Sequence, residues 1–210
     1  MKILVVDDHV VVRQGLKLIL AGEFTQAVFV EAENAREALE QVRQTPFDLL
    51  VLDINMPGRS GLDVVSDLKK VAPKLRILVL SMYAEEQFAL RALRAGVNGY
   101  ITKNTAAKEL VDAVRKVLAG GTYVSTTLAE KCVSALQTDS APALHETLSN
   151  RELEVLRMIG TGKTIKEIAV GLSLSVKTVS THRTHVLRKL HMKNTAQLIR
   201  YSIEQGLVSS

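Results

Sequence analysis

Phe47-Asp48-Leu49-Leu50-Val51-Leu52-Asp53-Ile54-Asn55-Met56-Pro57-Gly58 is the stretch on which the fold turns. Four consecutive apolar residues, Leu49 to Leu52, end in a carboxylate, and a Pro-Gly pair follows closely. A short unbroken apolar run bounded in this way predicts a strand covered on both faces, as in a parallel sheet. Asp53 then stands at the strand's carboxyl end, the edge where open α/β sheets place their ligands. One aspartate before a turn is ordinarily a turn residue and no more. Its meaning depends on which other charged groups reach the same edge.

Outward from that strand, Ile3-Leu4-Val5-Val6 and Ile77-Leu78-Val79-Leu80 repeat the pattern, and Ala27-Val28-Phe29-Val30 and Gly99-Tyr100-Ile101-Thr102 are weaker versions of it. Helical spacing fills the gaps. Val12, Gly15, Leu16, Ile19 and Leu20 form one face; Ala35, Ala38, Leu39 and Val42 form another; Leu110, Val111, Val114, Val117 and Leu118 form the last. Strands alternating with helices predict a five-stranded, doubly wound parallel sheet over residues 1–120, with few topologies open to right-handed crossovers.

In such a sheet Asp7 and Asp8 end the first strand, Asp53 the third, Ser81 the fourth and Lys103 the fifth, all on one edge. Three gathered carboxylates repel unless a cation joins them, and carboxylates with a carbonyl and waters suit octahedral Mg²⁺. A lysine and a hydroxyl beside them can stabilise the charge of an incoming phosphoryl group, which a carboxylate can accept covalently.

The chain has 210 residues, 47% of them apolar, enough for one large or two small domains with true cores. The first apolar run meets Asp7-Asp8 too soon for a secretory signal, and no run approaches membrane-spanning length. A single cysteine, Cys132, excludes an intramolecular disulfide and suits a reducing cytoplasm, and the histidines lack cysteine partners at zinc spacing. The net charge of +5 is unevenly placed: residues 147–210 hold ten Lys/Arg against four Asp/Glu, leaving residues 1–146 at −1. A basic C-terminal segment points to a polyanion.

Gly120-Gly121 stops the last helix of the first domain. Residues 121–146 read as a linker, with a short helix from Thr126 to Leu136 broken by Thr138-Asp139-Ser140-Ala141-Pro142. Residues 147–210 then show dense helix punctuation. Ser149 with Glu152 and Thr164 with Glu167 are capping boxes, and Leu148 with Leu153 takes the staple positions. Ser175 and Asn194 cap two further helices. A tight Leu172-Ser173-Leu174 turn before a basic helix predicts helix-turn-helix. In that helix Val176, Val179, Val186, Leu187 and Leu190 mark the core side. Lys177, Ser180, Thr181, Thr184 and Arg188 form a polar stripe suited to base edges and phosphates. His182, near the core side, reads as a hydrogen-bonded structural histidine.

Residues 1–120, through Asp7-Asp8, Asp53-Ile54-Asn55-Met56-Pro57-Gly58, Ser81 and Lys103, resemble a response-regulator receiver of the flavodoxin-like type. The resemblance implies that Asp53 accepts a phosphoryl group from a sensor histidine kinase. It implies Mg²⁺ bound by Asp8, Asp53 and the backbone carbonyl of Asn55, with Asp7 acting through water. Ser81 and Lys103 would contact the phosphoryl group, and Ser81 with Tyr100 would form a switch pair whose aromatic ring follows the hydroxyl inward. Asn104 after Lys103, where many receivers have proline, and serine rather than threonine at 81 depart from the usual pattern. Leu148 to Leu156, Thr164 to Ile168 and Lys177-Thr178-Val179 resemble a LuxR-type four-helix DNA-binding domain. Together the two are similar to a LuxR/FixJ-class, NarL-like response regulator: a cytoplasmic transcription regulator, not an enzyme beyond self-phosphorylation and autodephosphorylation, that binds double-stranded DNA as a homodimer. In that class the last helix helps dimerise, for which Leu198, Ile199 and Tyr201, with Ile203, are the candidates.

Two other readings fit less of the chain, and a third fits all of it. A Mg²⁺-dependent phosphohydrolase with Asp53 as nucleophile leaves the basic domain unexplained. A regulator triggered by a small acyl ligand needs an apolar pocket where this chain gathers carboxylates. A phosphorylation-independent regulator keeping the receiver as a scaffold would retain every residue named.

Overall fold

The computed structural model describes residues 1–56, 61–82, 85–126, 128–130 and 143–208, with residues 85–87 given as backbone. The Pro57-Gly58 turn, Cys132 and the break at 138–142 lie outside the described residues, as does most of the Thr126 to Leu136 helix. The chain divides into two compact units, Met1–Thr138 and Asp139–Ser210. Among the described residues no helix is long and apolar enough to cross a membrane.

The first unit alternates strand and helix: β1 (Lys2–Val6), α1 (Val10–Glu23), β2 (Val28–Ala32), α2 (Ala35–Gln44), β3 (Leu49–Asp53), α3 (Gly61–Val71), β4 (Arg76–Ser81), α4 (Glu85–Arg94), β5 (Gly99–Thr102) and α5 (Ala106–Leu118). All strands pair in parallel in the order β2-β1-β3-β4-β5. Leu49 to Leu52 of β3 are fully buried, as are Ile3 to Val6 of β1. Burying one Val or Leu side chain is worth about 1.5–3 kcal/mol, so these two strands form the sheet's apolar spine. The reversal of strand order at β1/β3 brings the ends of those strands together at one crevice.

Two details differ from the sequence-based expectation. On α1 the inward stripe is Arg13, Leu16 and Leu20, whereas Ile19 is 37% exposed. The expected linker begins as part of the first unit: Tyr123 bridges Gly99, donates its N–H to the Asn98 carbonyl at 2.9 Å and accepts from Tyr100 N–H at 3.0 Å. It thereby occupies donors and acceptors that β5 would otherwise leave open at the sheet edge.

The second unit opens with a 3-10 turn, Leu144–Thr147, followed by α6 (Asn150–Gly160), α7 (Ile165–Gly171), α8 (Val176–Lys189) and α9 (Thr195–Glu204). Both capping boxes form, and Ser175 and Asn194 cap α8 and α9 through the N–H groups of Thr178 and Gln197. Each such cap is worth about 1 kcal/mol. They matter in a small unit whose core rests on residues such as Leu153, Leu156, Ile168, Val179, Val186 and Leu198. The α7–α8 turn passes through Ser173 at φ +51°, a left-handed residue that lets two helices meet across so short a connection.

Candidate functional site

Asp7 and Asp53 reach the carboxyl edge of the sheet because each directly follows or ends a buried strand. Both are buried, at 0% and 1% exposure. Burial of that kind is tolerable because Lys103 Nζ donates to Asp7 Oδ2 and to Asp53 Oδ2, each at 2.7 Å. The backbone braces the lysine in turn, Lys103 N–H donating to the Ser81 carbonyl at 2.8 Å. Asp53 Oδ1 accepts the Asn55 N–H at 2.8 Å, and Asp7 Oδ1 accepts the His9 N–H at 2.8 Å. Burial pushes the Asp53 carboxyl above its ordinary value, against the opposing pull of Lys103 and the Asn55 N–H. For Lys103 burial works downward, but its two carboxylate partners outweigh it and hold the ammonium above the usual lysine value.

Asp8 is the half-exposed member of the group, and its Oδ1 is buried without a hydrogen-bond partner among the described residues. His9 Nδ1 comes within 2.9 Å of that oxygen, but its hydrogen bond is directed at Asp7 Oδ1, 3.3 Å away. Ligand atoms of Asp7, Asp8, His9 and Asp53 lie within 4.8 Å of one another. Three carboxylates gather around one lysine ammonium, and Asp8 Oδ1, with the His9 ring nitrogen 2.9 Å away, makes no hydrogen bond among the described residues. That donor set fits a hard divalent cation.

Asn55 adds a contact absent from the sequence-based reading. Its side-chain oxygen accepts from Ser81 Oγ at 3.2 Å and from the Met82 N–H at 2.8 Å, tying the segment after β3 to the end of β4. Behind it, Gly61 packs so closely on Ile54 that a Cβ there would collide with Ile54 Cα. Ser81 is fully buried, and so is the Tyr100 ring on β5, opposite Val79 of β4.

The sequence-based reading also missed two residues of this site. Arg13, 4% exposed, donates from Nη1 to the Asp7 backbone carbonyl at 2.7 Å. Its signal was present: an arginine one turn before Leu16 and two turns before Leu20 sits on an apolar stripe. His9 carried no comparable signal, since one histidine after two aspartates has no diagnostic spacing.

In the second unit, Lys177, Ser180, Thr181, Thr184 and Arg188 are all exposed on α8, opposite the buried Val179 and Val186. The three hydroxyls donate one turn back along the helix: Ser180 to the Val176 carbonyl at 2.8 Å, Thr181 to Lys177 at 3.0 Å and Thr184 to Ser180 at 3.0 Å. Their protons are occupied, so outward they offer oxygen lone pairs and, on the threonines, methyl groups. Val176, expected on the core side, is 48% exposed at the helix's first turn. His182 is half-buried, and burial holds its ring below the usual histidine value. The helix is set by Glu152, whose Oε2 accepts from Lys189 Nζ at 2.6 Å and from the Ser149 N–H at 2.7 Å.

The expected dimer band on α9 is narrower than its sequence pattern. Leu198 is fully buried within its own unit, a core residue with no surface to offer a dimer partner. Tyr201 is half-buried, and its hydroxyl accepts the His145 N–H at 3.2 Å. Ile199 is half-buried and Ile203 is 50% exposed.

Comparison with known proteins places both units. Residues 3–115 match the response regulator receiver domain, and residues 146–202 match the bacterial regulatory proteins of the luxR family. The oxygen regulatory protein NreC of Staphylococcus epidermidis is 38% identical over 216 residues, covering 99% of each chain. The structure of RcsB from Salmonella enterica serovar Typhimurium bound to a promoter with the phosphomimetic BeF3- is 27% identical, covers 96% of this chain and 97% of that one, and superposes with a TM-score of 0.64. A structure of two RcsB dimers bound to two parallel DNAs is 25% identical over 96% of each chain, with a TM-score of 0.58.

Proposed function

We propose that this chain, which belongs to the response regulators that join a receiver to a LuxR-family DNA-binding domain, is switched by transfer of a phosphoryl group to Asp53. The observation that carries the reading is the pair of 2.7 Å bonds from Lys103 to Asp7 and Asp53 beside the unpartnered Asp8 oxygen. An Asp53 oxygen attacks phosphorus in line with the leaving group, giving an acyl phosphate and releasing the donor's leaving group, the imidazole of a sensor histidine kinase or acetate from acetyl phosphate. Lys103 stays beside the product and takes up part of its added negative charge. Asp8, Asp53 and the Asn55 carbonyl would hold Mg²⁺, with Asp7 acting through water. When bound, the ion would supply positive charge that screens the repulsion between the carboxylates and the incoming phosphoryl oxygens.

Ser81 then exchanges its hydrogen bond to Asn55 for one to the phosphoryl group, and the buried Tyr100 ring holds that arrangement, shifting an existing receiver equilibrium. The output is DNA binding in the cytoplasm as a homodimer on paired half-sites, with α8 in the major groove. Lys177 and Arg188 meet phosphates, and Ser180, Thr181 and Thr184 meet base edges.

Incubation of Asp53→Asn with acetyl [³²P]phosphate and Mg²⁺ tests the acceptor. Loss of the hydroxylamine-sensitive label is expected, and retention would move the acceptor elsewhere. Wild-type DNA affinity and dimer content should both rise on labelling. If the label forms while both stay constant, the receiver is a scaffold and not a switch.

A further inference from the structure

We infer that Arg13 is a positioning residue for the acidic site, acting through the backbone between Asp7 and Asp8; the inference rests on the reading of that edge as a Mg²⁺-assisted phosphoryl acceptor. Arg13 lies on the inward stripe of α1, where an apolar side chain would pack without the cost of burying a charge. That cost is met by three acceptors. Nη1 donates to the Asp7 carbonyl at 2.7 Å, Nη2 to Glu33 Oε1 at 3.0 Å and Nε to Glu31 Oε2 at 3.4 Å. Glu31 is itself held by Lys17 at 3.0 Å and by Gln14 at 3.1 Å, so the clamp has a fixed far end.

The Asp7 carbonyl is the important acceptor. It belongs to the peptide that joins Asp7 to Asp8, so anchoring it fixes the plane from which the Asp8 side chain departs. The preceding peptide is also tied, because the Asp7 N–H donates to the Ala32 carbonyl at 3.3 Å. With both peptides held, the Asp7 carboxylate stays on Lys103 and the unpartnered Asp8 oxygen stays beside Asp53. Arg13 touches neither reacting atom; it determines how closely two of the carboxylates are preset for the cation.

The test compares wild type, Arg13→Met, Arg13→Lys and the double variant Glu31→Gln/Glu33→Gln in the full chain. Mg²⁺ affinity is measured by calorimetric titration, and acetyl-phosphate labelling is followed as a function of Mg²⁺. Circular dichroism confirms folding. Arg13→Met should weaken Mg²⁺ binding about tenfold, the scale on which residues that orient ligands act. Labelling at saturating Mg²⁺ should fall less than about threefold, because the loss lies in binding and not in the transfer step. Arg13→Lys, which keeps a donor for the Asp7 carbonyl, should recover part of the affinity. A folded Arg13→Met with wild-type Mg²⁺ affinity overturns the inference, whatever its melting temperature. Should Arg13→Met not fold, the double variant decides: weakened Mg²⁺ binding supports the clamp and unchanged binding overturns it. If wild type neither binds Mg²⁺ nor takes the label, the failure belongs to the reading of the site and not to Arg13.

Discussion

At the edge of the sheet, Asp7 and Asp53 are buried and share one lysine; on α8, Lys177, Thr181 and Arg188 stand in solvent. On the proposed function, the receiver holds its charges in a costly state because phosphoryl transfer to Asp53 would deliver more charge to the same place. The helix leaves its cations exposed, which on the same proposal lets contact with DNA release counterions without first breaking an internal ion pair. On the proposed reading, stored electrostatic tension belongs to the switch, and freely offered polarity belongs to the reader.

The strongest way to break that contrast is to remove the compensation. Lys103→Met leaves Asp7 and Asp53 facing each other without their common partner. Losing one member of a buried ion pair costs about 3–5 kcal/mol, the largest effect expected of any single change here. Thermal unfolding without Mg²⁺ should show the full drop, and millimolar Mg²⁺ should restore part of it by binding the exposed acidity. Adding Asp53→Asn to Lys103→Met should restore stability without the ion. An unchanged melting temperature for Lys103→Met would mean that the acidic edge stores no tension.

Acid titration sharpens the contrast, because the two units should respond with opposite sign. At Glu152, burial pushes the carboxyl up, but hydrogen bonds from Lys189 and Ser149 outweigh it and hold the group below its ordinary 4.5. A depressed folded value means that its stabilisation is present above about pH 4.5 and lost as pH falls through the folded value. Glu152→Gln should therefore cost about 2 kcal/mol at pH 7, with the gap closing on acidification. Asp53 is raised from 3.8, so its ionised form weakens the folded state until pH falls through that higher value. Asp53→Asn should raise the melting temperature at pH 7, and that gain should shrink in acid. Two gaps of the same sign would put Asp53 and Glu152 in one class.

The same contrast explains what could be read from the sequence. Asp7, Asp53, Ser81 and Lys103 were legible because strand ends in a parallel sheet share an edge, whatever the side-chain detail. The stripe of Lys177, Ser180, Thr181, Thr184 and Arg188 was legible because helical period separates a wet face from a dry one. Arg13 and the Asn55 side chain escaped because they act through contacts between segments far apart in the chain, which periodicity does not encode. Leu198 was misplaced because α9 carries more apolar residues than its core uses, and pattern alone does not say which are left over. Tyr123 was assigned to a linker because one residue bridging a sheet edge has no strand signature.

The finest distinction lies within the reader itself. Thr181 gives its hydroxyl proton to the Lys177 carbonyl, so outward, and on the proposed function toward DNA, it presents a lone pair and a methyl group. A lone pair selects a base that donates into the major groove, the amino group of cytosine or adenine; a methyl selects the C5-methyl of thymine. Thr181→Val removes the lone pair and keeps an apolar surface, whereas Thr181→Ser does the reverse. If the contact is polar, Val should lose about 1 kcal/mol of specific binding, roughly a fivefold change, while Ser retains it. If it is apolar, the order inverts. Neither variant should alter the dependence of affinity on salt, because no phosphate partner is removed. Competition binding with operators substituted one base at a time separates the two outcomes. A parallel fall on specific and non-specific DNA, with a shallower salt slope, would instead move Thr181 to the residues that position the backbone, beside Lys177 and Arg188.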